Sequence, residues 1–391
     1  IVASTETRSH NPAAGQASGD LHAARLLTEL RGLDPEIEAF GMGGRELREA
    51  GLEILADSEE ISVVGISEAL KVLPRAREIF RELVSAVGER DSAAAVLVDS
   101  PDFNLRLAKA LRGQGRKIVY YISPQVWAWR KGRLRLISKV VDRMLVVLPF
   151  EVDFYRRHGV DAIYVGHPLV DEVPRLEHVW DRAADPAGPF TIALLPGSRK
   201  SEVESILPTL LEAARLLGRH VEIRLRLIQA SSLERGFLEN FVEASGLEVE
   251  YVEEGRFSAL AESHLALCAS GTATLEVGLT GTPMIVVYRV RLWTYLLGRM
   301  LVRLPNVSLV NLVLEKRVVE EMIQGRAKPD AICDEAVRLL TNQDRIRRMR
   351  SSLEELWVRL GESGASRRAA TEIVRYLQET SGRTAPKESQ V

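Results

Sequence analysis

Leu194-Leu195-Pro196-Gly197-Ser198-Arg199 ends an apolar run that starts at Phe190 and passes into a helical pattern, Ser201 to Leu217, with Glu202 and Glu204 near its start. An apolar run of this length followed at once by a helical period reads as a buried strand, a glycine turn and a helix. Backbone N–H groups at such a turn point away from the strand, so the turn is an anion site. Arg199 adds a forked donor suited to phosphate. The plainer alternative is that Gly197 only makes the turn and Arg199 is solvated.

The same alternation extends in both directions. Downstream, Val221 to Ile228, Leu265 to Cys268 and Met284 to Val287 read as further strands. Upstream, Ala93 to Val98 reads as a strand, Asp99 to Asn104 as a loop, and Leu105 to Leu111 as a helix stopped by Gly113 and Gly115. Lys117 to Ile122, Met144 to Leu148 and Ala162 to Val165 follow as strands, with helices from Arg130 to Lys139 and after Phe150. This predicts an α/β chain of two Rossmann-like domains with parallel sheets and a helical C-terminal segment from Asp344 to Gln378. The apolar period lapses between Asp171 and Pro189, where Pro174, Pro186, Gly188 and Pro189 cluster. The expected division is a first domain over 1–172, a linker over 173–189 and a second domain over 190–345. Helices over 346–380 return to the first domain or to a partner, and a disordered tail spans 381–391. Such folds bind ligands beyond the carboxyl ends of their strands, which places the expected cleft between the two sheets.

Composition narrows the function classes. The chain has 391 residues, 46% hydrophobic and 27% charged, and 52 Lys plus Arg against 54 Asp plus Glu give a net charge of −2. That balance carries no general argument for nucleic acid as a partner. Cys268 and Cys333 stand far apart, which excludes a disulfide framework and fits a reducing compartment. No signal segment and no uncharged apolar stretch of about 20 residues is read, so the expected place is the cytoplasm or a membrane surface. No His or carboxylate spacing supports a metal, and none is expected.

Several strand ends carry candidate chemistry. Ala269-Ser270-Gly271-Thr272-Ala273-Thr274-Leu275-Glu276 leaves one strand for a helix. The amides and hydroxyls of Ser270, Gly271 and Thr272 suit a diphosphate, and Glu276 suits two ribose hydroxyls. The alternative is a capping box with Thr272 as the cap. With Gly197, Ser198 and Arg199, this assigns a nucleoside diphosphate to the second domain. In the first, Asp99-Ser100-Pro101-Asp102-Phe103-Asn104 offers two carboxylates as a base, or as helix caps. Ser123-Pro124-Gln125-Val126-Trp127-Ala128-Trp129-Arg130 places two Trp where an apolar ligand passes, or in the core. Gly15-Gln16-Ala17-Ser18-Gly19-Asp20 and Gly41-Met42-Gly43-Gly44 are backbone-approach sites for an anion or a sugar. His167 is a structural or a cleft histidine. Leu292 to Leu304, with Trp293, Tyr295, Arg299 and Arg303, patterns as an interfacial helix. With Arg130, Lys131, Arg133 and Arg135 it would form a basic patch against anionic lipid.

In order, GQASGD, GMGG, VVGISEAL (63–70), DSPDFN, SPQVWAWR, GHPL (166–169), LLPGSR, ASGTATLE and VSLVNL (307–312) resemble the lipid-A-disaccharide synthase family from Gly15 to about Gln324. Glu321 and Gln324 fit a following helix. The resemblance implies a metal-free, B-type glycosyltransferase without cofactor that makes lipid A for an outer membrane. It would move 2,3-diacylglucosamine from UDP to 2,3-diacylglucosamine 1-phosphate. It further implies that Asp102 deprotonates the acceptor 6-hydroxyl, that a β-1,6 bond forms with inversion, and that Arg199 with the 270–272 amides stabilises departing UDP. Gln16, Ser18, Gly19, Asp20, Asp99, Ser123, Trp127 and Asn311 become acceptor or lipid contacts. A homodimer with exchanged C-terminal segments and peripheral attachment to the inner face of the inner membrane complete the expectation. The sequence departs from the family at two places. Gln16 replaces an acidic residue, keeping hydrogen bonds without the charge. Thr5 to Ala14, TETRSHNPAA, is polar where an apolar strand is implied, so the first sheet is expected to lack its central strand. The competing functions are an epimerase or another sugar transferase on the same fold, and an inactive paralogue that binds nucleotide or lipid.

Overall fold

Runs of consecutive apolar residues become strands of a parallel sheet when helices cover both faces. The computed structural model describes residues 18–61, 66–127, 131–176, 188–289 and 306–381. Outside these lie Gly15 and Gln16, the segment before them, residues 63–65, Ala128 to Arg130, most of the expected linker, Leu292 to Leu304, and the tail. The chain divides into two units, whose described residues are 18–168 with 363–381, and 169–362.

In the first unit, β1 (Phe40–Gly43) pairs in parallel with β2 (Glu53–Asp57). β3 (Ala94–Val98), β4 (Lys117–Tyr121), β5 (Arg143–Val146) and β6 (Ala162–Tyr164) form a parallel sheet in that order. The helices Ile66–Glu89 and Pro101–Gly113 contribute Ile79, Leu83, Leu107 and Leu111 to a core with Met42, Leu97, Ile118 and Tyr120. The stretch read as a loop over Asp99 to Asn104 is helical from Pro101, because proline at the first helical position loses no intrahelical bond.

The second unit holds six parallel strands: β7 (Phe190–Leu195), β8 (Ile223–Ile228), β9 (Val249–Val252), β10 (Leu265–Ala269), β11 (Met284–Tyr288) and β12 (Glu320–Ile323). Their spatial order is β12-β11-β10-β7-β8-β9. Read from β9, this is the 3-2-1-4-5-6 order of dinucleotide-binding sheets, whose direction of winding reverses between the first and fourth strands. Here that point lies between β7 and β10. Glu321, read as helical, is on β12, and Gln324 opens a single 3-10 turn at φ 50°.

The C-terminal helices part company. Gln343–Arg359 stays with the second unit, where Leu353 and Leu356 pack over Gly278. Only Ala365–Ser381 lies with the first unit, so the expected return covers one helix, not the whole of 346–380. It is anchored there by charge and shape. Arg368 donates to the Val165 carbonyl at 2.9 Å, passing over Gly166, where φ of 89° and a guanidinium within 2.2 Å of any added Cβ leave room for glycine alone. Arg143 stacks on Tyr376 and faces Asp161 and Glu379. The unit boundary falls between 168 and 169, ahead of the expected linker, and Leu169–Glu172 is the first helix of the second unit.

Candidate active site

The turns that leave β7 and β10 flank the winding reversal. After β7, Gly197 adopts φ of 108°, and a Cβ there would meet the Glu202 carboxylate at 2.7 Å. That carboxylate accepts the Ser198 N–H at 3.3 Å and pairs with Arg199 at 3.2 Å. The anion expected at this turn is thus partly supplied by the protein itself, from the first turn of Lys200–Leu217, where a negative charge also suits the helix dipole. Arg199 is 63% exposed, so its guanidinium stands at the surface while joined to Glu202. The Ser232 hydroxyl ties the turn down by donating to the Ser198 carbonyl at 2.8 Å.

After β10, Ser270, Gly271 and Thr272 lead into Ala273–Leu279. Thr272 is exposed and makes no side-chain cap, contrary to the capping-box alternative; Thr274 instead donates to the Gly271 carbonyl at 2.8 Å. Glu276 is partly buried beside Arg256, at 3.6 Å. The Ser270 hydroxyl reaches the Val307 carbonyl at 3.3 Å, which joins this turn to a buried polar cluster. There Glu321 accepts the Val307 and Ser308 N–H groups, the Ser308 hydroxyl and the Asn311 side-chain amide, all within 3.1 Å. Asn311 is 0% exposed and its other bonds close on Val318 and Val319. It therefore offers no surface to an acceptor; it braces the 307–321 connection behind the β10 turn.

In the first unit the candidate residues separate into surface and support. Asp20, expected to line an acceptor site, is buried, and its two oxygens accept the Gly44 and Glu46 N–H groups at 2.7 and 2.8 Å. Asp20 of the first motif and the GMGG turn, read as parts of two ligand sites, thus share one contact that caps the helix Arg45–Glu49. Gly19 is buried in the first turn of Ser18–Leu33, and for Ser18 only the backbone is described. His167 is buried, and burial together with its neighbour His22 lowers its pKa to about 3, so it is neutral at pH 7 and supplies no charge for an anion.

Ser123 and Trp127 are also buried. Trp127 packs edge-on against Phe150, with centroids 5.1 Å apart, so the core alternative holds for it. Both side chains donate to Glu151, at 2.7 and 2.8 Å. Glu151 was not singled out from the sequence, although Pro149-Phe150-Glu151 directly after an apolar strand could have marked it.

The two aspartates after β3 differ sharply. Asp102 is 73% exposed and ion-paired with Arg133. Asp99 and Ser100 both occupy the left-handed region, at φ of 50° and 47°, and Ile122 at the end of the adjoining β4 does the same at 60°. Such conformations in non-glycine residues cost energy and collect at functional sites. The Asp99 turn is held rigidly: its carbonyl accepts the Tyr120 hydroxyl at 2.6 Å and the Asn104 amide at 2.7 Å. Burial raises the Tyr120 pKa well above its ordinary value, and nearby Asp99 raises it further.

These features define a two-unit α/β fold of the B-type glycosyltransferase kind. Solved structures share it at low identity: the calicheamicin glycosyltransferase CalG4 (TM-score 0.55, 17% identity, 93% of this chain and 95% of that one) and the S. aureus MnaA–UDP complex (TM-score 0.63, 12%, 96% and 98%). Residues 13–374 match the lipid-A-disaccharide synthetase family. The lipid-A-disaccharide synthase of Myxococcus xanthus is 44% identical over 368 residues, spanning 93% of this chain and 96% of that protein. The chain belongs to the lipid-A-disaccharide synthase family and is a glycosyltransferase of lipid A biosynthesis.

If Glu321 supports the β10 turn, Glu321→Ala strands several buried donors, each costing about 1–3 kcal/mol. Urea unfolding should lose more than about 3 kcal/mol. An unchanged unfolding midpoint contradicts this.

Proposed function

We propose that this chain transfers 2,3-diacylglucosamine from UDP to the 6-hydroxyl of 2,3-diacylglucosamine 1-phosphate, releasing UDP. The observation that carries the reading is the strand order of the second unit, which sets the Gly197–Arg199 and Ser270–Thr272 turns on either side of the winding reversal. The Ser270 N–H is already given to the Val287 carbonyl at 3.1 Å, so the diphosphate takes the amides of Gly271 and Thr272 with the Ser270 hydroxyl, and draws Arg199 from Glu202. Glu276 accepts ribose hydroxyls. As the bond from the anomeric carbon to the diphosphate breaks, charge grows on the leaving oxygens, and these fixed donors stabilise it.

The base reading shifts from Asp102 to Asp99. Asp102 is largely exposed and its carboxylate is taken up in an ion pair with Arg133, which orients it toward that side chain. Asp99 sits in a strained, braced turn of the kind that pre-positions a reacting group. It takes the proton of the acceptor hydroxyl as the hydroxyl oxygen bonds to the anomeric carbon from the face opposite UDP, which inverts that centre.

Both substrates carry acyl chains, and this supports peripheral attachment to the inner membrane. No described helix is long and apolar enough to cross a membrane. A homodimer remains the assembly implied by the family resemblance.

With radiolabelled acceptor and UDP-diacylglucosamine, thin-layer analysis should reveal a disaccharide. Asp99→Asn should lower kcat by about 100-fold or more, and Asp102→Asn by less than about 10-fold. The reverse order would restore Asp102 as the base, and UDP binding without product would indicate a binding paralogue. In flotation, the protein should rise with anionic vesicles at low salt and rise less at high salt; failure to rise at low salt counts against attachment.

A further inference from the structure

At the carboxyl edge of the first sheet, one acid organises the segment that follows β4. Glu151 stands in the first turn of Phe150–Arg156 and is 1% exposed. One of its oxygens accepts both the Ser123 hydroxyl, at 2.7 Å, and the Trp127 indole N–H, at 2.8 Å. The other accepts the Leu148 N–H at 3.2 Å. From the same helix, Tyr155 donates to the Pro124 carbonyl at 2.6 Å, and Phe150 packs edge-on against Trp127. One helix turn thus holds Ser123, Pro124 and Trp127 together.

A buried carboxylate is costly, and an apolar side chain would fill the same space without that cost. Convergent donors from a neighbouring turn are the arrangement that makes the charged form tolerable. What the charge accomplishes is the orientation of residues 123–127, which adjoin the strained Ile122 and, across β3 and β4, the Asp99 turn.

We propose that Glu151 is a positioning residue of the acceptor side: its ionised carboxylate holds residues 123–127 in the form that receives the acceptor, and its protonation loosens them. This deepens the reading of the first unit as the acceptor unit and rests on it. Burial pushes the Glu151 carboxyl up to about 7, against the opposing bonds from Ser123, Trp127, Leu148 and Val147. Among the described residues, the titratable groups coupled to it are the phenols of Tyr155 and Tyr164. Burial raises both, so they are neutral throughout the physiological range. On protonation, Ser123 can reverse its hydroxyl and accept, but an indole N–H is a donor only. The loss therefore concentrates at Trp127.

The test uses the full-length protein labelled with ¹⁵N at tryptophan indoles, with Trp127→Phe to identify the Trp127 signal. Between about pH 5.5 and 8.5, without substrates, that signal should move through one transition centred near 7, and the transition should vanish in Glu151→Gln. In steady-state assays Glu151→Gln should lose about 10-fold in kcat/KM for the acceptor, with UDP affinity by calorimetry unchanged. A Trp127 signal that is flat over this range overturns the proposal, as does a variant that loses UDP affinity together with acceptor kcat/KM. The wild-type titration needs no variant to fold and no turnover, so it reads separately from failure of the synthase reading.

Discussion

A parallel strand that ends in a turn leaves backbone N–H groups with no partner in the sheet or in the helix that follows. Each must find an acceptor or remain open to a ligand. In this protein carboxylates fill that need repeatedly. Asp20 takes the amides at Gly44 and Glu46, Glu151 takes Leu148, Glu202 takes Ser198, and Glu321 takes Val307 and Ser308. The turn at Ser270 to Thr272 differs. Its Ser270 N–H and hydroxyl run to the backbone carbonyls of Val287 and Val307, and among the described residues the paired acid nearest to it in sequence, Glu276, lies one turn further along beside Arg256. Where the protein supplies its own anion it builds support; at the β10 turn it does so least.

This division also sets the energetics. A buried carboxylate with several donors is a stable unit, but removing either side of it leaves the other desolvated and alone, at about 3–5 kcal/mol. The Glu321 cluster is of this kind, and through Val307 and Ser270 it stiffens the β10 turn from behind. Glu202 is different, because it is partly exposed and its bond to Ser198 is long. It can yield Arg199 at modest cost.

In the second unit the sequence made β7, β8, β10 and β11 readable to within about two residues, while β9 and β12 were not read. Phe190 to Leu195 and Leu265 to Ala269 are unbroken apolar runs, and a strand buried on both faces has no other pattern. β1 and β2 were not legible, since FGMG and EILAD are short, glycine-bearing or half-exposed. Glu320 and Glu321 masked β12, because an acid is expected on a surface helix until its donors are seen. The candidate site was legible in location but uneven in role. Asp20, Asn311, Ser123 and Trp127 are polar or amphipathic residues at strand ends, as ligand contacts would be. Whether backbone or another side chain claims such a residue depends on partners far away in sequence, such as Glu151 or Glu321. The choice between Asp99 and Asp102 turned on backbone dihedrals and on Arg133, neither of which spacing encodes.

The central claim is that the winding reversal between β7 and β10 receives the nucleoside diphosphate. A crystal structure with UDP tests it most directly. The account predicts diphosphate oxygens within hydrogen-bond distance of the Gly271 and Thr272 amides, with Arg199 turned from Glu202 toward them. UDP bound elsewhere on the chain, with the Arg199–Glu202 pair intact, would contradict it.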